Sequence, residues 1–189
     1  YCYLRIQSMQ QQEPQVILVD KEDRVIGSAG KLEAHQKNWL HRAFSVVLFR
    51  SVGGKFETLL QKRQWNKYHC PGLWSNTCCS HPQPGDSSLS AAVARLAFEL
   101  HLSFDEIRFV DKFYYQVSFD NQIHEHELDY VFVGFYDQVL PTPNESEVAE
   151  LGWFSVDDLH LALKERPEDF TPWLKMVMSI ACRCLEDGQ

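Results

Sequence analysis

Two short stretches of the chain hold the side chains best suited to chemistry. The run Cys70 to Pro82, Cys-Pro-Gly-Leu-Trp-Ser-Asn-Thr-Cys-Cys-Ser-His-Pro, places a thiol, Cys79, two residues before an imidazole, His81. The run Ile123 to Tyr130, Ile-His-Glu-His-Glu-Leu-Asp-Tyr, sets Glu125 and Glu127 in the same relation. Alternate residues of an extended segment share a face, so each pair would present its groups together. A thiol beside an imidazole and two carboxylates in step are the parts of a metal-assisted proton-transfer site.

Of the eight histidines, three stand where such a site could be assembled. His81 follows the thiol, His41 opens an apolar run, and His35 falls in a predicted loop. With Glu125 and Glu127 they supply three imidazoles and two carboxylates. That donor set suits an octahedral Mn²⁺ or Mg²⁺, or zinc with an expanded shell. The rival reading is solvated histidines and a solvated strand face. The apolar residues from Leu128 onward turn that face inward. A zinc knot built from Cys70, Cys78, Cys79 and His81 is the other competitor, but it lacks the Cys-x-x-Cys pairs such knots use. Cys78 and Cys79 are adjacent, so only one of them can join His81, and the other is a packing residue.

These groups need strands to hold them. Val16–Val19 and Arg24–Gly27 around a charged turn predict a hairpin. Ala43–Arg50 predicts a buried strand, Gly53-Gly54 a turn and Phe56–Lys62 the returning strand. Ser87–Leu102 predicts a helix with N-cap oxygens and a stripe at Leu89, Val93, Leu96 and Leu100. Asp111–Phe119 and Glu127–Tyr136 predict two further strands, and Glu150–Phe154 another. Ser155 caps a helix to about Lys164, and Pro172 opens a last helix ending near Glu186. Residues 1–14 predict a loosely ordered extension, and 15–189 a single domain. The class is α+β with a mixed sheet.

Composition narrows the function. The chain has 189 residues, 44% of them hydrophobic, and 23% are charged, enough for a core without disorder. A net charge of −8 argues against a general nucleic-acid partner, while a few local bases can still hold a small diphosphate. The six cysteines suggest no staple framework, no secretory pattern is visible, and no apolar run would insert into a membrane. The expectation is a reducing, cytoplasmic setting with free thiols and, absent a large apolar seam, a monomer.

From about Val16 to Leu185 the chain resembles the type I isopentenyl-diphosphate isomerases. The resemblance rests on Pro71-Gly72-Leu73-Trp74-Ser75-Asn76-Thr77-Cys78-Cys79-Ser80-His81-Pro82, Leu40-His41-Arg42-Ala43-Phe44-Ser45, Glu125-x-Glu127 and Thr171-Pro172-Trp173. It implies a Nudix α/β/α sandwich with a C-terminal helix. It also implies movement of a double bond in a five-carbon diphosphate, from isopentenyl to dimethylallyl, by protonation and deprotonation. By resemblance, Cys79 exchanges a proton with the substrate. Glu127 is the acid on the opposite face, helped by Tyr115, and Trp173 steadies the developing cation with its ring face. His35, His41, His81, Glu125 and Glu127 correspond to the ligands of a divalent ion, Mn²⁺ or Zn²⁺. Lys31, Arg63, Lys67 and Arg95 correspond to the diphosphate grip. Glu99, one helical turn after Arg95, would join a Mg²⁺ carried by the diphosphate.

A surface pair is the plain reading of Arg95 and Glu99, and a core aromatic that of Trp173. Because a carbocation is quenched by water, the pocket is expected to be walled, by Trp74, Trp173, Tyr115 and Phe113, with the last helix as part of a lid. Two other functions compete. A Nudix diphosphohydrolase would not need Cys79, and a binding module would grip the diphosphate without turnover. The helix bearing Arg95 keeps a single carboxylate, Glu99, where a hydrolase box offers several, which weakens the first competitor.

Overall fold

The computed structural model describes residues 13–186, so the expected extension lies outside the described residues except at Glu13 and Pro14. The predicted hairpin is present as β1 (Gln15–Val19) and β2 (Val25–Gly30). It leads into α1 (Lys31–Gln36) and then the long strand β3 (His41–Val52). Gly53 and Gly54 both have positive φ, 58° and 78°, the conformation a tight hairpin turn demands and glycine supplies without strain. The chain returns as β4 (Lys55–Arg63). Residues Ala43–Phe49 are an unbroken buried run, as a strand covered on both faces requires.

Strand β3 pairs in parallel with β8 (His124–Phe135), which forms a hairpin with β7 (Ile107–Ser118). Both strands start earlier than their apolar patterns suggest. In β7 a register shift between Phe109 and Asp111 breaks the alternation that would have revealed its first residues. Strand β9 (Val148–Ser155) lies antiparallel to β4. Helix α2 (Ser88–Leu100) covers one face of the sheet, burying Ala92, Leu96 and Leu100 against Phe44, Val46 and Phe132. Its N-terminus is capped by the Ser87 hydroxyl, which accepts from the Ser90 N–H.

The other face is covered by α3 (Val156–Glu165) and α4 (Leu174–Ala181), whose Leu159, Leu163, Leu174 and Val177 pack on Val47, Phe49 and Val131. Helices on both faces of a mixed sheet give the α/β/α sandwich. The expected single last helix is in fact two. It breaks at Cys182, where the Leu185 N–H bonds the Cys182 carbonyl in a tighter turn, and α5 (Arg183–Glu186) follows.

Strands β3 and β4 stay paired only from Phe49–Val52 against Thr58–Lys55 and then diverge. Two short strands, too brief for any sequence periodicity, fill the wedge. They are β5 (Trp74–Ser75), paired with β4, and β6 (Cys78–Ser80), paired with β3. Between them Thr77 replaces the missing rungs: its hydroxyl accepts from the Leu48 N–H at 2.8 Å and donates to the Leu59 carbonyl at 2.7 Å. Asn76 donates to the carbonyls of Val46 and Cys78. The polar centre of the motif is buried because it satisfies backbone groups the splayed strands leave unpaired.

Candidate active site

The wedge turns its strand toward a cavity. Cys79 stands opposite Ser45 in the β3–β6 register and lines the cavity, while Cys78 points the other way into the α2 core. On β8 the same alternation brings Glu125, Glu127 and Asp129 to the cavity wall. The parallel register sets His41 opposite Glu127, and the β7 register sets Tyr115 opposite Glu127 as well. His81, two residues beyond Cys79, lines the same space, so the two alternations seen in the sequence meet at one point.

His35 is not in a loop. It lies on α1, fully buried, and that helix is held by its entry rather than by propensity. The Lys31 N–H bonds the Pro14 carbonyl, and the Leu32 N–H bonds the Glu13 carboxylate at 2.8 Å. His35 donates from Nδ1 to the Lys31 carbonyl at 2.7 Å, and His41 from Nδ1 to the Trp39 carbonyl at 2.8 Å. Both rings therefore carry their proton on Nδ1 and aim the Nε2 lone pair inward, as ligating histidines do.

Those two Nε2 atoms, with Nδ1 of His81, are buried without a hydrogen-bond partner. Nε2 of His35 lies 3.4 Å from a Glu125 oxygen and Nε2 of His41 3.7 Å from a Glu127 oxygen. A lone pair facing a carboxylate is repulsive unless a cation stands between them. One ligand atom from each of His35, His41, His81, Glu125 and Glu127 falls within 4.8 Å of all the others. The five residues fit a divalent ion, and the cluster could hold one.

The four expected cations line the cavity together with Trp173. Trp173 is tied to the wedge, donating from its indole nitrogen to Ser75 and Asn76 at 3.2 Å, and the Arg63 guanidinium sits 5.5 Å from its ring centre. Arg95 and Glu99 are not a surface pair. Glu99 is buried, accepting from Arg95 Nε at 2.7 Å and from the Gln61 amide at 2.8 Å. The aromatic walls are fewer than expected. Trp74 packs on Phe154 of β9 and Phe113 on the α4 face, so neither lines the cavity. Tyr115 stands behind it, edge-on to Trp173 with ring centres 6.1 Å apart.

Four residues in the site escaped the sequence reading. Glu147, from the loop before β9, receives bonds from both Lys67 and Arg95. Asp129 accepts from the Ser45 hydroxyl at 2.8 Å and keeps its other oxygen unpaired. His69 touches Glu125, its Nε2 2.7 Å from Oε1, and Tyr68 stands edge-on to His69. For Asp129 the signal was present, since it continues the alternation of Glu125 and Glu127. Nothing near Glu147 in the sequence suggested a site, and Tyr68-His69, although between Lys67 and the Cys70 run, follow no period that singles them out.

Burial and charge set the proton affinities. Burial, reinforced by Glu125, pushes the Glu127 carboxyl well above the usual carboxylate range. Burial also raises Glu125, but hydrogen bonds from Glu127 and His69 outweigh it and hold that group well below. Burial raises the Cys79 thiol to about 11, with the Arg63 charge opposing it, and brings His41 down to about 4. Burial lifts Asp129 to about 7 despite the Ser45 hydrogen bond. A buried thiol and a buried carboxyl of raised proton affinity in one cavity, beside an indole and four cations, can move a proton on a small anionic substrate.

Residues 39–174 match the NUDIX domain. An isopentenyl-diphosphate Delta-isomerase of Photobacterium profundum is 40% identical over 167 residues, 88% of this chain and 93% of that protein. One from Aromatoleum aromaticum is 42% identical over 178 residues, covering 94% of this chain and 97% of its own. The chain belongs to the isopentenyl-diphosphate Delta-isomerase family.

Solved structures agree on the fold of this isomerase-family chain. A Deinococcus radiodurans crystal structure superposes with a TM-score of 0.71 at 17% identity, covering 88% of this chain and 98% of that one. The NUDIX domain of a Shewanella oneidensis protein, solved with ADP ribose, gives 0.60 at 14% identity over 77% of this chain and 87% of its own. Among the described residues, no helix of the isomerase-family chain is long and apolar enough to cross a membrane.

Proposed function

We propose that the chain interconverts isopentenyl and dimethylallyl diphosphate, with Cys79 and Glu127 as its two proton-exchanging groups. The observation that carries this reading is their shared cavity: a thiol from β6 and a carboxyl from β8, with Trp173 on the wall and Lys31, Arg63, Lys67 and Arg95 around it. The cations hold the diphosphate, Arg as a fork and Lys as a compact charge. They fix the short hydrocarbon tail between the two groups. Glu127, backed by the Tyr115 ring, exchanges one proton with the alkene. The Trp173 face steadies the tertiary positive charge that develops. Cys79 exchanges the other proton at the neighbouring carbon, one of the two groups giving its proton as the other takes one, and the Arg63 charge opposes part of the burial that raises the thiol. The reverse reaction exchanges the two roles.

His35, His41, His81, Glu125 and Glu127 would hold a divalent ion, Mn²⁺ or Zn²⁺. When bound, that ion supplies positive charge beside Glu127 and fixes the carboxylate's orientation. Glu99, with the substrate's oxygens, would complete a Mg²⁺ site. A diphosphohydrolase fits less well, because Glu99 is the only carboxylate on α2.

The test is incubation with isopentenyl diphosphate and Mg²⁺ in deuterated buffer. Deuterium is expected in the dimethylallyl product, and should vanish in Cys79→Ala and Glu127→Gln. Release of phosphate without isomerisation would overturn the reading in favour of hydrolysis. Pyrophosphate binding with no turnover would point instead to a binding module.

A further inference from the structure

His69 lies outside the five-residue cluster, yet it touches both the cluster and the diphosphate grip. Its Nε2 is 2.7 Å from Oε1 of Glu125, and Nη2 of Arg63 is 3.3 Å from its Nδ1. A guanidinium carries only donors, so Nδ1 of His69 must be the acceptor. A neutral imidazole with a lone pair on Nδ1 carries its proton on Nε2. The contact to Glu125 is therefore an N–H donated to a carboxylate. Arg63 donates a second bond to the His69 carbonyl at 3.3 Å, fixing the backbone beside the ring.

The ring itself has little freedom. It is buried, stacked on Phe119 with planes 7° apart, and flanked edge-on by Tyr68 and Trp173. The effect falls on Glu125. One of its oxygens is committed to His69, and the other, Oε2, is left 3.4 Å from Nε2 of His35, on the side of the cluster.

We infer that His69 is a positioning residue that ties the Glu125 carboxylate to Arg63 and so aims its second oxygen at the metal centre. The inference rests on the reading of the five-residue cluster as a divalent-ion site. The imidazole acts as a rigid spacer with one donor and one acceptor. Glutamine offers the same pair through its amide, whereas phenylalanine keeps bulk and stacking but no polar atom.

The experiment is titration of Mn²⁺ alone into demetallated full-length protein, comparing wild type, His69→Gln and His69→Phe. Thermal melting in chelator checks that each variant folds, and His69→Leu replaces the Phe variant should it fail to do so. A lost partner of a ligating carboxylate weakens metal binding by about 10–100-fold. That loss is expected in His69→Phe, with recovery in His69→Gln. The visible spectrum of the Co²⁺-loaded protein should report altered coordination in His69→Phe only. Equal affinity and an unchanged Co²⁺ spectrum in all three proteins would overturn the inference, and so would equal losses in Gln and Phe. Failure of the wild type to bind a stoichiometric ion would instead sink the metal-site reading beneath it.

Discussion

Cys79 and Cys78 are consecutive residues of one short strand and face opposite sides of the sheet, Cys79 toward the cavity and Cys78 into the core under α2. Their substitutions should therefore separate chemistry from packing. Cys79→Ala should lower isomerisation by at least about 10²–10⁴-fold, the usual contribution of a positioned proton-transfer group, without a matching loss of stability. Cys78→Ala should keep turnover and cost about 1–2 kcal/mol, as a small cavity in a packed core does. Deuterium incorporation and urea unfolding of the two variants read the two effects independently.

Metal binding should expel a proton. Ligation needs the Glu127 carboxylate, which burial and Glu125 keep protonated in the metal-free protein. His41, brought down to about 4, is already neutral at physiological pH and has no proton to give. Affinity for Mn²⁺ should thus rise with pH until Glu127 ionises unaided, and flatten above that point. Calorimetry in buffers of different ionisation enthalpy should count about one proton released per ion near neutrality. A count of zero would assign the raised proton affinity to some other group.

Trp173 should act through its ring face more than through its indole N–H. Trp173→Phe keeps an aromatic face and loses only the bonds to Ser75 and Asn76. Trp173→Leu loses the face. Cation–π stabilisation in a desolvated site is worth about 2 kcal/mol, so kcat should fall roughly tenfold or more in the Leu variant and less in the Phe variant. Equal losses in the two would mean that the anchoring bonds, not the face, matter.

Thr77 is the hinge pin of the wedge. Thr77→Val preserves its shape and leaves the Leu48 N–H without its acceptor. A buried unsatisfied donor costs about 1–3 kcal/mol, and unfolding in denaturant should show that loss. Serine keeps the hydroxyl, so Thr77→Ser should retain most of the stability.

What was legible in the sequence followed from alternation. The pairs Cys79 and His81, and Glu125 and Glu127, declared a shared face because a strand has a period of two. His41 was readable as the first residue of a long apolar run. The placement of His35 was not, because α1 spans only six residues and owes its existence to bonds from Glu13 and Pro14 that no local propensity announces. His69 lies in the irregular link between β4 and β5, where no period operates. Glu147 reaches Arg95 across a separation of 52 residues, and only the pairing of β9 with β4 brings it there. The break at Cys182 escaped notice because the residues around it are all acceptable in a helix.

The parallel pairing of β3 with β8 sets Ala43 opposite Asp129 and lets the Ser45 hydroxyl bond that carboxylate, 84 residues on in the chain. Closing so large a loop is entropically costly and contributes to a high contact order, which slows folding. His41 reaches Glu127 only through that same pairing. The ion-binding cluster cannot exist until β3 and β8 have met, so the appearance of stoichiometric metal binding during refolding marks completion of that parallel pairing.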